Sequence, residues 1–150
     1  MPYDPYAALP GGYSTNDGTI DFYGRVNGLI NPSMVVLDIG AGRAAWFEDD
    51  PSEYRKSVRL LKGKVAKVIA IDVDEAVLEI KASDENIVMV GGKIPLPDQS
   101  VDLIVSDYVL EHVVNPDEFV PRSTGSCALA GGSAPARRTN IISSASWRGS

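Results

Sequence analysis

Two apolar segments that each carry an aspartate near their end constrain the fold of this chain more than any other feature. The first, residues 35–39 (VVLDI), contains Asp38 and leads directly into a turn that begins with Gly40. The second, residues 65–72, ends at Asp72. Near-continuous β-branched runs are typical of strands buried in a parallel sheet, because helices cover both faces of such a sheet. The two segments therefore predict two strands of a parallel sheet.

The turn after the first strand, formed by Gly40, Ala41 and Gly42, predicts a ligand site. Glycines let the backbone approach a ligand closely, and the N–H groups of a following helix then point at that ligand. A carboxylate that ends the next strand, such as Asp72, is placed to accept hydrogen bonds from ribose hydroxyls. Ala45 stands where the dinucleotide pattern G-x-G-x-x-G requires its third glycine. The sequence thus favours a nucleoside cofactor other than a nicotinamide dinucleotide.

The rest of the chain predicts strands that alternate with helices, which indicates right-handed crossovers in a parallel sheet. The predicted strands are residues 34–39, 65–72, 87–90 and 101–106. Asn16 or Asp17 can cap a first helix. A second helix begins near Arg43, is interrupted at residues 49–51 and ends at Gly63. A short helix around Val77 and a helix that starts at residues 115–118 complete the prediction.

The second predicted helix has an apolar face and a basic face. Its apolar residues recur at helical spacing: Tyr54, Val58 and Leu61. Its basic residues are interpreted as a solvent-exposed face: Arg55, Lys56, Arg59, Lys62 and Lys64.

Asp38, Gly40 and Gly42 together resemble the first motif of the class I S-adenosylmethionine-dependent methyltransferases. Three later segments match that family in the same order: residues 94–98 (IPLPD), 100–105 (SVDLIV) and 109–113 (VLEHV). The resemblance spans residues 17–119, with Ala44 in place of the family's third glycine. It implies a doubly wound, Rossmann-like α/β fold with the strand order 3-2-1-4 and S-adenosyl-L-methionine as the cofactor.

The resemblance also implies which residues bind the cofactor. Asp38 and the backbone of residues 40–42 would hold the methionine end, and Asp72, with Asp74 as the alternative, would accept both ribose hydroxyls. The other expected cofactor-binding positions are Val73, Gly92, Ile94, Asp107 and Tyr108. Many relatives have an acid near the adenine amino group, but residues 91–93 are Gly-Gly-Lys, so adenine recognition would depend on backbone groups. The structural alternatives are that residues 40–42 form an ordinary strand-to-helix turn and that Asp72 is a solvated acid at the end of a strand.

Catalytic residues are harder to name from the sequence. The cofactor supplies the reactivity for methyl transfer, so a base is needed only when the acceptor must lose a proton. His112, the single histidine, is the candidate base, although a lone histidine at a helix start is more often structural. A Ser-His-Asp triad cannot be argued from a single histidine. No cluster of His, Cys and Asp residues in the sequence has the spacing of metal ligands. We therefore expect no metal.

Composition predicts a cytoplasmic protein with one domain. The 150 residues suit a single domain, and the only cysteine, Cys127, cannot form an internal disulfide. No apolar run reaches the roughly twenty residues of a membrane span, and the N-terminus lacks the layout of a signal peptide. The net charge of −6 disfavours a nucleic-acid partner. The expected partner is a small-molecule methyl acceptor, and the sequence does not specify an oligomeric state.

The chain divides into an irregular leader (residues 1–15), a partial cofactor-binding domain (16–120) and a tail (121–150). The tail has four arginines, no acid, and no periodicity apart from an Ile-Ile pair, so we expect it to be disordered. Family members continue with a fifth strand, but residues 121–150 show no strand pattern. The sheet is therefore expected to be truncated after about the fourth strand, and the edge of that strand would be unpaired. We hypothesise a frameshift near Val120. When the codons from Arg122 onward are re-read from their third bases, they can encode Arg-Val-Leu-Arg-Pro-Gly-Gly, the peptide that the family has before its fifth strand.

The sequence therefore predicts an S-adenosylmethionine-dependent methyltransferase for a small molecule, present as an incomplete N-terminal fragment. One alternative is an inactive truncated remnant without catalysis. Another is a nicotinamide-binding oxidoreductase domain, which the missing third glycine and residues 110–112 (LEH) disfavour.

Overall fold

Five short strands form one parallel sheet in the computed structural model, which describes residues 8–91, 94–97, 99–107 and 140–143. The strands are β1 (Val35–Ile39), β2 (Lys67–Asp72), β3 (Glu85–Val88), β4 (Leu103–Ser106) and β5 (Asn140–Ser143). Their spatial order is β3-β2-β1-β4-β5, and each neighbouring pair is parallel. The predicted order 3-2-1-4 is confirmed, and the order reverses between β1 and β4. Open α/β sheets bind ligands at such a reversal, beyond the carboxyl ends of the strands.

One helix precedes β1, and the others lie in the connections between the strands. The helices are α1 (Gly18–Leu29), α2 (Trp46–Asp49), α3 (Glu53–Arg59) and a 3-10 helix (Glu75–Glu79). Asp17 caps α1 by accepting a hydrogen bond from the backbone N–H of Ile20 at 3.0 Å. Ser52 caps α3, directly after the predicted interruption at Pro51. The helix predicted at residues 115–118 lies outside the described residues.

The two faces of the sheet bury different side chains, because successive residues of a strand point to opposite faces, and a further buried cluster surrounds Ala70, Val77 and Ile80. On one face, Val36, Val68 and Val105 pack against α1. On the other face, Leu37, Ile71 and Ile104 form the second group, together with Met89 and Val101 and the partly buried Ile94 and Leu96. Asp38 is two residues after Val36, so its side chain is on the α1 side of the sheet.

Strand β3 begins two residues earlier than the sequence predicted. The apolar run at 87–90 led to the prediction, but the ladder with β2 starts opposite Ile69 at Glu85, which forms an ion pair with Lys67. Val90 lies after the strand and is exposed. Polar residues are tolerated in β3 because it is at the edge of the sheet.

Strand β5 corrects two expectations about the tail. Residues 140–143 are not disordered, and β4 does not present an unpaired edge, because β5 pairs with it in parallel register. Ile142 also packs against the buried residues on the α1 side of the sheet. The rest of the tail and residues 1–7 lie outside the described residues, and the proposed division of the chain into three parts stays a prediction.

Arg55 connects the segment before α1 to the loop between α2 and α3. Its guanidinium donates to both carboxylate oxygens of Asp50 at 2.6 Å and to Asp17 at 2.7 Å. It also donates to the carbonyl oxygen of Gly12 at 3.4 Å. Arg55 is therefore a partly buried structural residue, and its interpretation as part of an exposed basic face is wrong.

Candidate functional site

The glycine turn folds back over the end of β2. Gly40 and Gly42 have φ angles of +74° and +55°, in the left-handed region that glycine adopts without a steric penalty. The N–H of Gly40 donates to the carbonyl of Ile71 at 2.8 Å, which joins the turn to the neighbouring strand. An added Cβ at Gly42 would meet no atom of the described residues within 4 Å, so within this part of the chain that side of the turn is open to a ligand.

Asp72 holds the turn in place through its carboxylate. Its Oδ2 accepts a hydrogen bond from the N–H of Gly42 at 2.8 Å, and its Oδ1 accepts one from the N–H of Asp74 at 2.9 Å. Each carboxylate oxygen can accept a second hydrogen bond, so capacity remains for ribose hydroxyls. Asp74 instead caps the 3-10 helix through the N–H of Ala76. Asp72 is thus the acid in contact with the glycine turn.

Ala44 adopts a backbone conformation that favours glycine. Its φ angle is +48°, and its N–H donates to the carbonyl of Ala41 at 3.1 Å, which closes the turn before α2. A left-handed conformation costs a residue with a Cβ about 1–2 kcal/mol. The departure from the family motif at this position is therefore a strained one.

Asp38 is held in β1 between β2 and β4, opposite Ala70 and Val105. Burial raises the pKa of its carboxyl from 3.8 to about 7. Arg59 opposes this shift, while the charges of Asp107 and Asp72 add to it. Asp38 therefore changes its protonation state near neutral pH.

Arg59, the last residue of α3, lies beside Asp38 and was missed as a site residue. Its Nη2 is 3.3 Å from Oδ2 of Asp107. Its Cζ lies 4.8 Å from the ring centroid of Trp46 and 5.4 Å from that of Tyr23, distances typical of cation–π contacts. Burial also raises the pKa of the Tyr23 hydroxyl.

The interpretation of Arg59 as solvent-exposed is wrong, because only 24% of its side chain is accessible. The predicted apolar face is confirmed for Val58 and Leu61, which pack in the core on the α1 side, but it is wrong for Tyr54, which is 53% exposed. Arg55 and Arg59 are four residues apart and lie on one side of the helix. That spacing was the available signal, but nothing in the sequence distinguishes an inward pair of arginines from an outward pair.

Asp38, Ala44, Trp46 and Arg59 line a cavity of about 20 Å³ beneath the glycine turn. Tyr23 closes it from α1. The cavity lies on the α1 side of the sheet, where charged and aromatic side chains are close together. Most of the other lining residues are aliphatic, among them Leu61, Val68 and Ile80.

The structure places the remaining predicted residues as follows. Ala41 packs near the 3-10 helix, and Ile94 packs on the opposite face of the sheet from Asp38. Val73 follows β2 and is 67% exposed, which leaves space beside Asp72. Asp107 follows β4 and meets Arg59. Gly92, Tyr108 and His112 lie outside the described residues.

Neither a metal-binding cluster nor a membrane-spanning helix is found among the described residues. No group of three or more His, Cys, Asp or Glu residues in the described ranges has an arrangement that could hold a metal ion. Among the helices of the same ranges, none combines the length and apolar character needed to cross a membrane.

A family profile described as "Methyltransferase domain" matches residues 37–124, more than half of the chain. The chain belongs to this family. The predicted relationship to class I S-adenosylmethionine-dependent methyltransferases is thereby confirmed, and so is the Rossmann-like α/β fold class. Comparison with curated protein sequences gives no match.

Three solved structures that are similar to this methyltransferase domain illustrate its relatives. A SAM-dependent methyltransferase from Aquifex aeolicus is 25% identical, with a TM-score of 0.48 over 69% of this chain and 58% of that chain. Phosphoethanolamine N-methyltransferase 1 from Haemonchus contortus, solved with S-adenosylhomocysteine, is 17% identical, with a TM-score of 0.43 over 65% and 20%. The [4+2]-cyclase SpnF is 15% identical, with a TM-score of 0.52 over 79% and 42%, a likeness of fold alone. The chain thus spans less than two thirds of each of these proteins.

Proposed function

We propose that this chain is the N-terminal, cofactor-binding part of an S-adenosylmethionine-dependent methyltransferase that acts on a small molecule. The observation that carries the proposal is the contact of Asp72 with the Gly42 amide, which joins the end of β2 to the turn after β1 at the carboxyl edge of the sheet. A nucleoside with an amino-acid end suits this edge of the sheet. Asp72 is placed for the ribose hydroxyls, and the turn at residues 40–42 and Asp38 are placed for the amino-acid end.

Each group of the site has a distinct task in this proposal. S-adenosylmethionine supplies a sulfonium-bound methyl group that is already electrophilic. Asp72 would accept hydrogen bonds from the ribose hydroxyls while it holds the turn, and Asp38 would bind the α-amino group. These residues would orient the cofactor so that its methyl group faces the acceptor.

The acceptor and the cellular location are also part of the proposal. The net charge of −6 supports a small molecule over a nucleic acid as acceptor. The single cysteine supports a cytoplasmic location. His112 stays the candidate base for an acceptor that must lose a proton.

Calorimetry with S-adenosylhomocysteine tests the proposed cofactor. We expect the unmodified chain to bind it and Asp72→Asn to bind it about tenfold or more weakly, because a charge-assisted acceptor is lost. Asp74→Asn is the matched control, since this acid follows the same strand but caps the 3-10 helix, and its affinity should stay within about twofold. Absence of heat at millimolar ligand, tighter binding of NAD, or equal effects of the two variants would contradict the assignment.

An inactive remnant is the second candidate, and the composition of residues 121–150 favours it. This candidate predicts cofactor binding without methyl transfer. An assay of methyl transfer from radiolabelled S-adenosylmethionine to a panel of small amines, phenols and acids separates the active enzyme from the inactive remnant. The assay compares this chain with a chain in which the shifted frame is restored. The gene sequence after the Val120 codon tests the frameshift directly, because the hypothesis requires a single-base shift that yields Arg-Val-Leu-Arg-Pro-Gly-Gly.

A further inference from the structure

Arg59 contacts three elements that border the reversal of strand order between β1 and β4. Its Cζ atom lies 4.8 Å from the ring centroid of Trp46, the first residue of α2, and 5.4 Å from that of Tyr23 in α1. Its Nη2 atom is 3.3 Å from Oδ2 of Asp107, the residue that follows β4. Arg59 thus links the helix after the glycine turn to the end of β4.

The space around this guanidinium is too small for a ligand. The cavity that Arg59 and Asp38 line has a volume of about 20 Å³, which is room for about one water molecule. Its other lining residues are mostly aliphatic, and only 24% of the Arg59 side chain is accessible. Arg59 therefore influences the proposed cofactor site through the residues that it contacts.

The rings of Trp46 and Tyr23 restrict the orientation of the guanidinium. A guanidinium stacks on aromatic faces, and its planar shape loses less freedom for each contact than a flexible ammonium does. The ring of Tyr23 is buried and meets that of Phe22 edge to face, with 5.0 Å between the centroids. The ring of Trp46 meets that of Phe47 in the same way at 5.8 Å. Arg59 is therefore held by rings that are themselves held by neighbours.

Asp107 is the residue that depends on this orientation. Its side chain is only 10% exposed, so its charge is largely removed from water. The charge of Asp107 also helps to raise the pKa of Asp38, because the two carboxylates repel each other. Arg59 offsets this repulsion, since it lowers the pKa of Asp38 while its Nη2 contacts Asp107. Without Arg59, we expect the carboxylate of Asp107 to turn towards water and the backbone after β4 to shift with it.

We propose that Arg59 is a positioning residue for the cofactor site: it holds Asp107 in place at the carboxyl end of β4 and does not contact the cofactor itself. This inference rests on the proposed function, in which the end of β4 borders the site for S-adenosylmethionine. It adds to that function a residue of α3, a helix with no role in the site until now.

A double-mutant cycle on the affinity for S-adenosylhomocysteine, measured by calorimetry, tests this role. The cycle consists of Arg59→Met, Asp107→Asn and the combination of both. We expect Arg59→Met to weaken binding about tenfold. In the Asp107→Asn background, the same substitution should change the affinity by no more than about twofold, because the side chain through which Arg59 acts is already altered.

Arg55→Met is the matched control. Arg55 lies four residues earlier on α3 and is 20% exposed, but it pairs with Asp50 and Asp17. Arg55→Met and Arg59→Met should both lower the free energy of unfolding, whereas the affinity of Arg55→Met should stay within about twofold of that of the unmodified chain. Binding is measured at a temperature at which circular dichroism shows every variant to be folded. Arg59→Lys retains the charge without the planar contact, so it should recover part of the affinity.

The outcomes separate this inference from the proposed function. Absence of S-adenosylhomocysteine binding to the unmodified chain contradicts the proposed function, and the inference falls with it. If that chain binds the ligand, equal weakening by Arg59→Met in both backgrounds overturns the positioning role alone. An unchanged affinity of Arg59→Met, or an equal loss in Arg55→Met, also overturns it, because Arg59 would then only stabilise the fold.

A second variant covers the case in which Arg59→Met fails to fold. Arg59→Lys then takes its place in the cycle, with an expected weakening of about threefold that disappears in the Asp107→Asn background. The same loss of affinity in both backgrounds would refute the inference.

Discussion

The carboxylate of Asp72 accepts a hydrogen bond from the backbone N–H of Gly42 at 2.8 Å, across a sequence separation of 30 residues. This contact joins the end of β2 to the turn that follows β1, so two strands share one ligand-facing edge. The turn is therefore shaped by a residue of the neighbouring strand as well as by its own glycines.

We expect Asp38→Asn to change the pH dependence of stability. The pKa of Asp38 rises from 3.8 to about 7 on folding, so the folded state binds more protons than the unfolded state between these values. The free energy of unfolding is therefore lowered progressively as the pH rises from about 4, and the loss is complete above about pH 7. The difference in free energy of unfolding between Asp38→Asn and the unmodified chain should therefore shift by about 2–4 kcal/mol in favour of the variant when the pH is raised from 4 to 8. Urea unfolding at the two pH values measures this, and parallel pH profiles would contradict it.

We expect Ala44→Gly to stabilise the fold. The φ angle of +48° at Ala44 strains a residue with a Cβ, and removal of that strain should raise the free energy of unfolding by about 1 kcal/mol. Ala45→Gly is the matched control, because Ala45 has a φ of −53° and an ordinary helical conformation. The control should show no comparable gain, because no left-handed strain is relieved at Ala45. Thermal unfolding of both variants provides the comparison, and a loss of stability in Ala44→Gly would show that the methyl group packs favourably.

We expect Arg55→Met to destabilise the domain through the acids it leaves behind. Asp50 and Asp17 are only 8% and 12% exposed, and each would lose an ion pair. The expected loss is about 2–4 kcal/mol, because a partly buried charge without its partner is costly. Lys56→Met is the control, since Lys56 pairs with the exposed Glu53 and such pairs contribute about 0–1 kcal/mol. Equal midpoints of denaturant unfolding for the two variants would refute this account of Arg55.

The same ion pair predicts a loss of stability in acid. Arg55 holds the pKa of Asp50 below its usual range. The contribution of the pair is therefore present above the ordinary carboxyl pKa and is lost as the pH falls through the lowered value. Asp50→Asn should show a smaller loss on acidification than the unmodified chain, measured by urea unfolding, and an unchanged profile would contradict this.

We expect Ile142→Ala to destabilise the sheet if β5 contributes to the fold. Ile142 is partly buried against residues such as Leu103 and Val105, so its truncation should cost about 1–2 kcal/mol. Leu29→Ala, at an exposed position of α1, should stay within about 0.5 kcal/mol and serves as the control. Equal unfolding midpoints for Ile142→Ala and the unmodified chain would mean that β5 adds no stability.

Local sequence signals predicted the framework of the fold well. The β-branched runs predicted β1, β2 and β4 within two residues of their observed bounds, and Asp17 caps α1 as expected. These features depend on strand periodicity and on a hydrogen bond between residues three apart. Both can be read from a short stretch of sequence.

Features that depend on distant partners were not predictable in the same way. The inward orientation of Arg59 requires Asp107 and the rings on α1 and α2, and no local pattern records that arrangement. Strand β5 gains its hydrogen bonds from β4, more than thirty residues earlier, so a four-residue segment in a polar tail gave only a weak signal. The cofactor-binding roles of Asp38 and Asp72 stay predictions until a ligand is measured.

The pairing of β5 with β4 has a consequence for how this gene tolerates change. The hydrogen bonds between β4 and β5 are made by main-chain atoms. This edge of the sheet therefore requires an extended segment with an apolar side chain on one side, but it does not require a particular sequence. Substitutions within β5 that keep an apolar residue at position 142 would therefore be absorbed much more readily than changes at Gly40 or Gly42, where the chain itself is bent into an unusual shape.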